Sequence, residues 1–422
     1  MGAQIYGRGD MQSLTELYRF GKGPSSSHTI APQRAAKRFR EDFPGAHSYR
    51  VTLFGSLAAT GRGHLSDQAI IQAFTPAAVE ILWKPLEELR VLPNGMLLAA
   101  LGPSGEVLGE REEYSTGGGA LLSDKAAHVY PAETMAEILS SCQEAGESFW
   151  EYVQRFEGQG ILAFLEQVWQ AMCGSVVRGI RTEGVLPGGL RLRRKACSFH
   201  RRARALESGC FRTEAFLAAY AYAVAEENAC GGDVVSAPTC GASGVLPAIL
   251  TSLSSTLECR DEDILHALAT AGLFGNLVKR NASISGAVVG CQGEIGTACA
   301  MAAAAATQLL GGTPPQIEYA AEMGLEHHLG LTCDPVAGLV QIPCIERNAH
   351  AATRALSCCH FALLSDGLHR ISFDDVVTVM AETGRALPAL YRETSTGGLA
   401  QLYHRRISEH HAQKKDPDKP HD

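Results

Sequence analysis

Along the chain the apolar positions change period. Tyr49–Leu57 (YRVTLFGSL) is rich in apolar and β-branched residues and stops at a glycine, the pattern of a buried strand. Met96–Leu101 and Val107–Glu110, separated by GPSG, predict a hairpin or two neighbouring strands. Between and around them, Thr29–Phe39 and Ser66–Phe74 have helical spacing. The first is introduced by serines and carries Pro32 near its first turn. From about Ala132 to Met172 the spacing is mostly helical. After a turn at LPGG (186–189), alanine-rich helices are expected over Glu214–Asn228, Ile264–Lys279 and Gly296–Leu310, where small side chains permit close packing.

The alternation early and the helices later predict an α+β protein: a small N-terminal α/β domain joined to a larger, mainly helical second domain, which the family resemblance given below makes the catalytic one. The boundaries expected are 1–145, 146–407 and a flexible histidine-, lysine- and aspartate-rich tail over 408–422. Composition changes this picture little. In 422 residues, 45% are hydrophobic and 19% charged, which suits an ordered chain with a substantial core. The net charge of −8 offers no general attraction for nucleic acid or anionic lipid. The basic stretch Arg191–Arg204 reads as a solvated face. The opening MGAQIYGRGDMQSL lacks the pattern of a signal peptide, and the apolar runs are broken by polar residues and glycine, so no membrane partner and a cytoplasmic location are expected. Thirteen cysteines in such a chain point to buried thiols or metal chemistry rather than a disulfide framework.

Several polar stretches carry candidate chemistry. In GPSSSHT, the hydroxyls of Ser25, Ser26, Ser27 and Thr29 and the loop amides precede a helix, and His28 can transfer protons near neutral pH. Either this is a capped loop or it is a cradle for an anionic substrate. STGGG (Ser115, Thr116, Gly117, Gly118, Gly119) is either a plain turn or a second wall of that cradle. APTCGASG supplies Thr239 and Ser243 beside exposed backbone, or else a tight connection between helices. It lacks the glycine-lysine-serine/threonine ending of a phosphate loop. Cys291, Cys333 and Cys344 stand 42 and 11 residues apart, unlike the compact runs of ferredoxins, and each alone reads equally as a buried small residue. His327 and His328 are alternative zinc ligands, although adjacent histidines on a helix point apart.

Five separated segments, GPSSSHT (23–29), APTCGASG (237–244), NASISGAVVGCQGE (281–294), LGLTCDPVAGLVQIPCIERN (329–348) and YRETSTGGLA (391–400), together resemble the iron-sulfur-dependent L-serine dehydratase (L-serine ammonia-lyase) family in its single-chain form. The resemblance spans nearly the whole chain. It implies a [4Fe-4S] cluster held by Cys291, Cys333 and Cys344 with one iron open to substrate, Cys299 being packing. It further implies elimination from L-serine to pyruvate and ammonia, with His28 as leading base. Ser25, Ser26, Ser27 and Thr29 would orient the substrate, and Ser115, Thr116, Gly117 and Gly118 would close the pocket. Thr239, Lys279, Asn281, Ser283 and Ser285 would line it, and Glu294, Glu346 and Arg347 would support it. Two positions depart from the family pattern: Cys240 stands where asparagine is common, and Val288 where glutamate is common. Both bear on substrate choice, which leaves L-threonine or another β-substituted amino acid as alternatives. The last cysteine is Cys359, so self-ligation by a terminal cysteine is not expected. The remaining alternatives are pyridoxal-phosphate elimination through Lys279 and a non-enzymatic iron or redox sensor. The expected partner is a small amino acid, with a homodimer compatible.

Overall fold

Strand β2 (Ser48–Phe54) is the strand expected from Tyr49, and it ends one residue before Gly55. The computed structural model, which describes residues 11–125 and 127–415 (side chains to 408), places it second in a five-stranded sheet. Its neighbours are β3 (Ala78–Lys84), parallel to it, and β4 (Gly95–Leu101), antiparallel to it. Beyond β4 lie β5 (Val107–Gly117) and the short β6 (Ala120–Leu121). The hairpin expected around GPSG is therefore present, with β5 reaching into the STGGG turn. The helices Ala31–Asp42 and Ser66–Phe74 cover one face. Phe39, Tyr49, Ile70, Phe74 and Leu98 fill the space between, Tyr49 stacking on Phe74 with ring centroids 4.2 Å apart.

The rest is helical. The helix Thr297–Leu309 is buried all round, with Ala298 and Ala300 through Ala306 lining its length except at Met301. It runs among the helices Val245–Leu257, Asp261–Asn281, Pro314–Glu326 and Cys344–Leu363. Methyl side chains explain how so many helices meet one. At Gly324 even a methyl would press to 3.0 Å from Ala300 Cα. The helix Gly160–Arg181 is long and apolar enough by composition to cross a membrane. Here it buries Ile161, Leu165, Val168 and Met172 in the helical core.

Packing divides the chain differently from a cut at residue 145. Met11, Leu14, Leu17 and Tyr18 belong to the helical core, where the Tyr18 hydroxyl donates to Leu268 O at 2.8 Å. Tyr130, Met135 and Ile138 join them. The small core draws on Ala31 to Leu121 only. The two units are also stitched by strand β1 (Phe20–Lys22), which pairs antiparallel with β7 (Asp233–Val235). Of the tail expected to be flexible from residue 408, residues 408–415 form the last part of the helix Gly398–Lys415. Its N-terminus is fixed by the Asp334 carboxylate, which accepts from Leu399 N at 2.6 Å. Residues 1–10, read as lacking a signal pattern, and 416–422 lie outside the described residues.

Candidate active site between the two cores

The serine-rich loop enters its helix through one wide turn, Ser26–Ile30, in which Ile30 N reaches back to Ser25 O at 3.2 Å. Ser25 caps it, its hydroxyl accepting from His28 N at 3.2 Å. The wide turn carries the His28 side chain into full burial. There its bonding is complete. Ser56 Oγ gives its proton to Glu393 O (2.8 Å), so it accepts from His28 Nε2–H at 3.1 Å. Nδ1 is then the acceptor for the Ser27 hydroxyl at 2.8 Å. Burial lowers the His28 imidazole to about 4 and keeps it neutral.

A second imidazole lies edge-on to it, the ring of His64 at 4.5 Å between centroids. Thr60 donates its hydroxyl proton to Ser56 O (3.0 Å), so its oxygen accepts from His64 Nδ1–H at 3.1 Å. That assignment leaves the lone pair on Nε2, which is buried and has no partner. Burial, assisted by His28, holds His64 well below the usual imidazole range. His64 is thus a neutral base with its accepting nitrogen free.

His64 lines a cleft of about 380 Å³ together with Ser25, Glu393, Cys291, Cys333 and Cys344. The three cysteines reach it by separate routes. Cys291 precedes the turn Gln292–Gly296, after Gly290, whose φ of 77° and close approach to Leu331 O (a Cβ would lie at 2.7 Å) require glycine. Cys333 is gripped by the 391–393 segment, its N donating to Tyr391 O (2.8 Å) and its O accepting from Glu393 N (2.6 Å). Cys344 opens the helix Cys344–Leu363. A hydrogen bond from Cys333 pulls the Cys291 thiol down to about 6 against its burial, with the Arg347 guanidinium helping. Cys333 rises correspondingly, through the same hydrogen bond and burial, and burial pushes Cys344 up.

Two carboxyls share the cleft. Glu294 is raised to about 8 by burial and by Cys291, and its Oε2 lies 3.9 Å from Cys333 Sγ. Glu393 is raised well above the carboxylate range by burial and by Glu294. Its Oε1 is 3.5 Å from His28 Nδ1, and its Oε2 has no partner. Gly286 makes room for this group, since a Cβ there would sit 2.7 Å from Glu294 Oε2 and 3.1 Å from Cys333 Sγ.

The expected substrate-binding residues sort into two sets. Ser25, Ser26, Ser27 and Thr29 are buried around His28 and His64, Thr29 donating to His64 O at 2.7 Å. Ser26 Oγ accepts from Cys240 N at 3.4 Å, and the Cys240 thiol, raised to about 12 by burial, feels Glu294. Thr239 also neighbours Glu294. The turn Gly117–Gly119 lies against the other domain: a Cβ on Gly117 would be 3.1 Å from Ser285 Cβ, and one on Gly118 would be 3.3 Å from Pro238 O. Arg19 and Arg34 clamp it by donating to Gly118 O (3.2 Å) and Gly119 O (2.5 Å). Thr116 sits within this closing strand. Ser283 Oγ is taken up by Ser285 N at 3.1 Å. The hydroxyls of Ser115 and Ser285 are buried without partners. Leaving a buried polar group unpaired costs about 1–3 kcal/mol, so this set of free groups is the mark of a ligand site.

Lys279 and Asn281 are placed elsewhere. Lys279 Nζ donates to Gln12 Oε1 (2.8 Å) and Glu16 O (3.0 Å), tying down the N-terminal segment, and burial lowers it to about 7. Asn281 donates to Glu133 O at 2.8 Å. Of the expected supports, Arg347 touches the cysteines, whereas Glu346 is an exposed partner of Lys195 at 3.2 Å. His327 and His328 end a helix, each Nδ1 near a carbonyl of the preceding turn. Val288 lines a different cavity from the cysteines, so it does not touch that cleft. Cys299 is wholly buried in the helical core. Sequence reasoning missed His64 and gave Glu393 no role of its own. The only local signals were a histidine after two glycines in GRGH and an acid within the YRETS run.

Fold and site together define a two-unit protein whose site is made where a serine-histidine loop meets a cysteine-lined cleft. His28, His64 and Glu393 bring ligand-capable atoms within 4.8 Å of one another, so a metal-binding-capable cluster is present. The family model described as serine dehydratase alpha chain matches residues 121–400, and that described as serine dehydratase beta chain matches 13–82. The chain belongs to the serine dehydratase family and carries both units. It is 40% identical over 447 aligned residues to the L-serine dehydratase of Streptomyces coelicolor, covering 92% of this chain and 98% of that one. It is 40% identical over 449 residues to L-serine dehydratase 1 of Escherichia coli, covering 92% and 99%, and 38% identical over 451 residues to that of Haemophilus influenzae, with the same coverage.

Proposed function

We propose that this protein deaminates L-serine to pyruvate and ammonia, with the α-proton taken by His64. The observation that carries this reading is the free Nε2 of a neutral imidazole in the same cleft as Cys291, Cys333 and Cys344. Two buried thiols and the half-buried Cys344 beside one guanidinium, with a glycine where a Cβ would intrude, suit a cluster's donor set. Those cysteines would hold a [4Fe-4S] cluster, which when bound supplies a Lewis-acidic iron without a fourth protein thiolate and makes the substrate hydroxyl a better leaving group.

The chain's own residues do the rest. Ser25, Ser115 and Ser285 offer hydroxyls to the carboxylate and ammonium of the substrate, and the Gly117–Gly119 turn excludes water from the cleft. His64 Nε2 accepts the proton from Cα, the C–H electrons form the Cα–Cβ double bond, and the C–O bond at Cβ breaks with its electron pair leaving on hydroxide, which takes up a proton and departs as water. The enamine released tautomerises to an imine, and water hydrolyses it to pyruvate and ammonia. His28 positions rather than abstracts: its lone pair is filled by Ser27, and it holds Ser56 and Glu393 in place.

Anaerobic reconstitution followed by assays of iron, acid-labile sulfide and pyruvate tests the whole reading. Iron and sulfide in comparable amounts, with pyruvate and ammonia formed from L-serine, are expected. An intact cluster without pyruvate would sink it. A second reading, one metal ion on His28, His64 and Glu393, has the 4.8 Å grouping in its favour. It predicts metal without acid-labile sulfide, and it needs His28 to give up a hydrogen bond.

A further inference from the structure

A second cavity, of about 670 Å³, shares no lining residue with the cysteine cleft. It lies between Asn281–Val289 and the helix Phe373–Ala386, with Arg392 across it. Its walls are Ala282, Val288, Val289 and Ala381, and its charges are Arg385 and Arg392. No acidic residue lines it. The nearby Glu133 carboxylate is committed to Arg280 at 2.6 Å. Neither Arg385 nor Arg392 forms an ion pair among the described residues. Arg392 reaches only Val288 O, at 3.3 Å, and its buried Nε has no acceptor.

Two guanidinium groups without acids, one with an unused buried donor, above a short apolar floor, form a recognisable binding chemistry. Guanidinium forks match carboxylate and phosphate oxygens in paired hydrogen bonds. The apolar walls accept a few carbons and no more. We propose that this cavity binds a small organic oxyanion, a metabolite-sized carboxylate or phosphate, anchored by Arg392 with Arg385 at the mouth. The site goes beyond the serine reaction and needs neither the cysteines nor the imidazoles. It is linked to the cysteine cleft through the chain, because Arg392 immediately precedes Glu393, whose backbone N donates to Cys333 O.

Isothermal titration of the full-length protein with malonate and, separately, with inorganic phosphate tests this. Neither probe can undergo the serine reaction. One probe is expected to bind with one-to-one stoichiometry, and which one does so distinguishes a carboxylate from a phosphate ligand. R385A, an exposed change, should weaken that binding about tenfold with kcat/KM for serine unaltered in the absence of the anion. V288E, which places a carboxylate in the wall, should abolish it. The same binding is expected before and after cluster reconstitution, so its failure is separate from a failure of serine turnover. Absence of binding by both anions, or affinity in R385A equal to the parent's, would overturn the proposal.

Discussion

The two halves of the site are built in opposite ways. In the small unit the hydrogen bonds around the imidazoles are almost fully accounted for: Ser27, Ser56 and Thr60 fix both rings, and one nitrogen is left over. In the helical unit two buried cysteines and the half-buried Cys344 have little to bond except one another, Glu294 and Arg347. The first arrangement sets a tautomer and aims one lone pair. The second gathers soft donors and leaves them unsatisfied by protein. A proton-transfer group must be held rigidly before substrate arrives, whereas thiols of a metal site reach their low-energy state only with the metal. On the function proposed above, the difference would divide the work, the first half moving protons and the second holding the metal.

The largest effect expected is on the sulfur half. C291S, C333S or C344S should each bring iron, sulfide and turnover close to background, while C299A should keep all three. A full iron complement in any of the three serine variants would remove that cysteine from the ligand set. Next comes the imidazole half. H64A should lower kcat by about 10²–10⁴ with iron retained, and H28A should cost less, because it disturbs Ser56 and Glu393 without removing the free lone pair. Should H28A prove the more damaging of the two, the roles of the two rings are reversed.

A smaller effect tests the seam between the halves. Gly117 has φ 98°, so G117A imposes a backbone cost of about 1–2 kcal/mol and crowds Ser285. KM for serine should rise several-fold with iron content unchanged. A KM equal to the parent's would show that the turn is only structural. Lys279, outside the site, bears on stability alone and leaves turnover least affected. Its folded-state ammonium titrates near 7, below its unfolded value, so between pH 7 and about 10 the unfolded chain binds the extra proton there. That residue's contribution to stability therefore grows as pH rises from 7. Denaturant midpoints of K279M, compared with the parent across that range, should lack this rise, and parallel pH profiles would refute it.

The sequence is readable where chemistry is local. Strand β2, the hairpin and the alanine-rich helices follow from period and composition, and the serine loop announces itself by cap residues. Cys291, Cys333 and Cys344 line one cleft, although nothing in spacings of 42 and 11 residues could place them there. What was illegible depends on distant contacts. His64 matters because Thr60 and Ser56 dispose of protons in a particular order, and Glu393 matters because its backbone N–H donates to Cys333 O, sixty residues away in sequence. Lys279 and Asn281 look like site residues by nearness in sequence to Cys291. In space their side chains point to Gln12, Glu16 and Glu133, where hydrogen-bond partners were waiting. The start of the last helix is likewise met by a remote carboxylate, Asp334, which accepts from Leu399 N.

The measurement closest to the central claim is an anaerobic serine titration of reconstituted parent and H64A proteins, following visible iron-sulfur absorption and pyruvate together. The account predicts that serine perturbs both spectra but that only the parent turns over rapidly, since the sulfur half still engages substrate when the proton acceptor is gone. Unchanged spectra in both proteins, or pyruvate formed by H64A at the parent's rate, would contradict it.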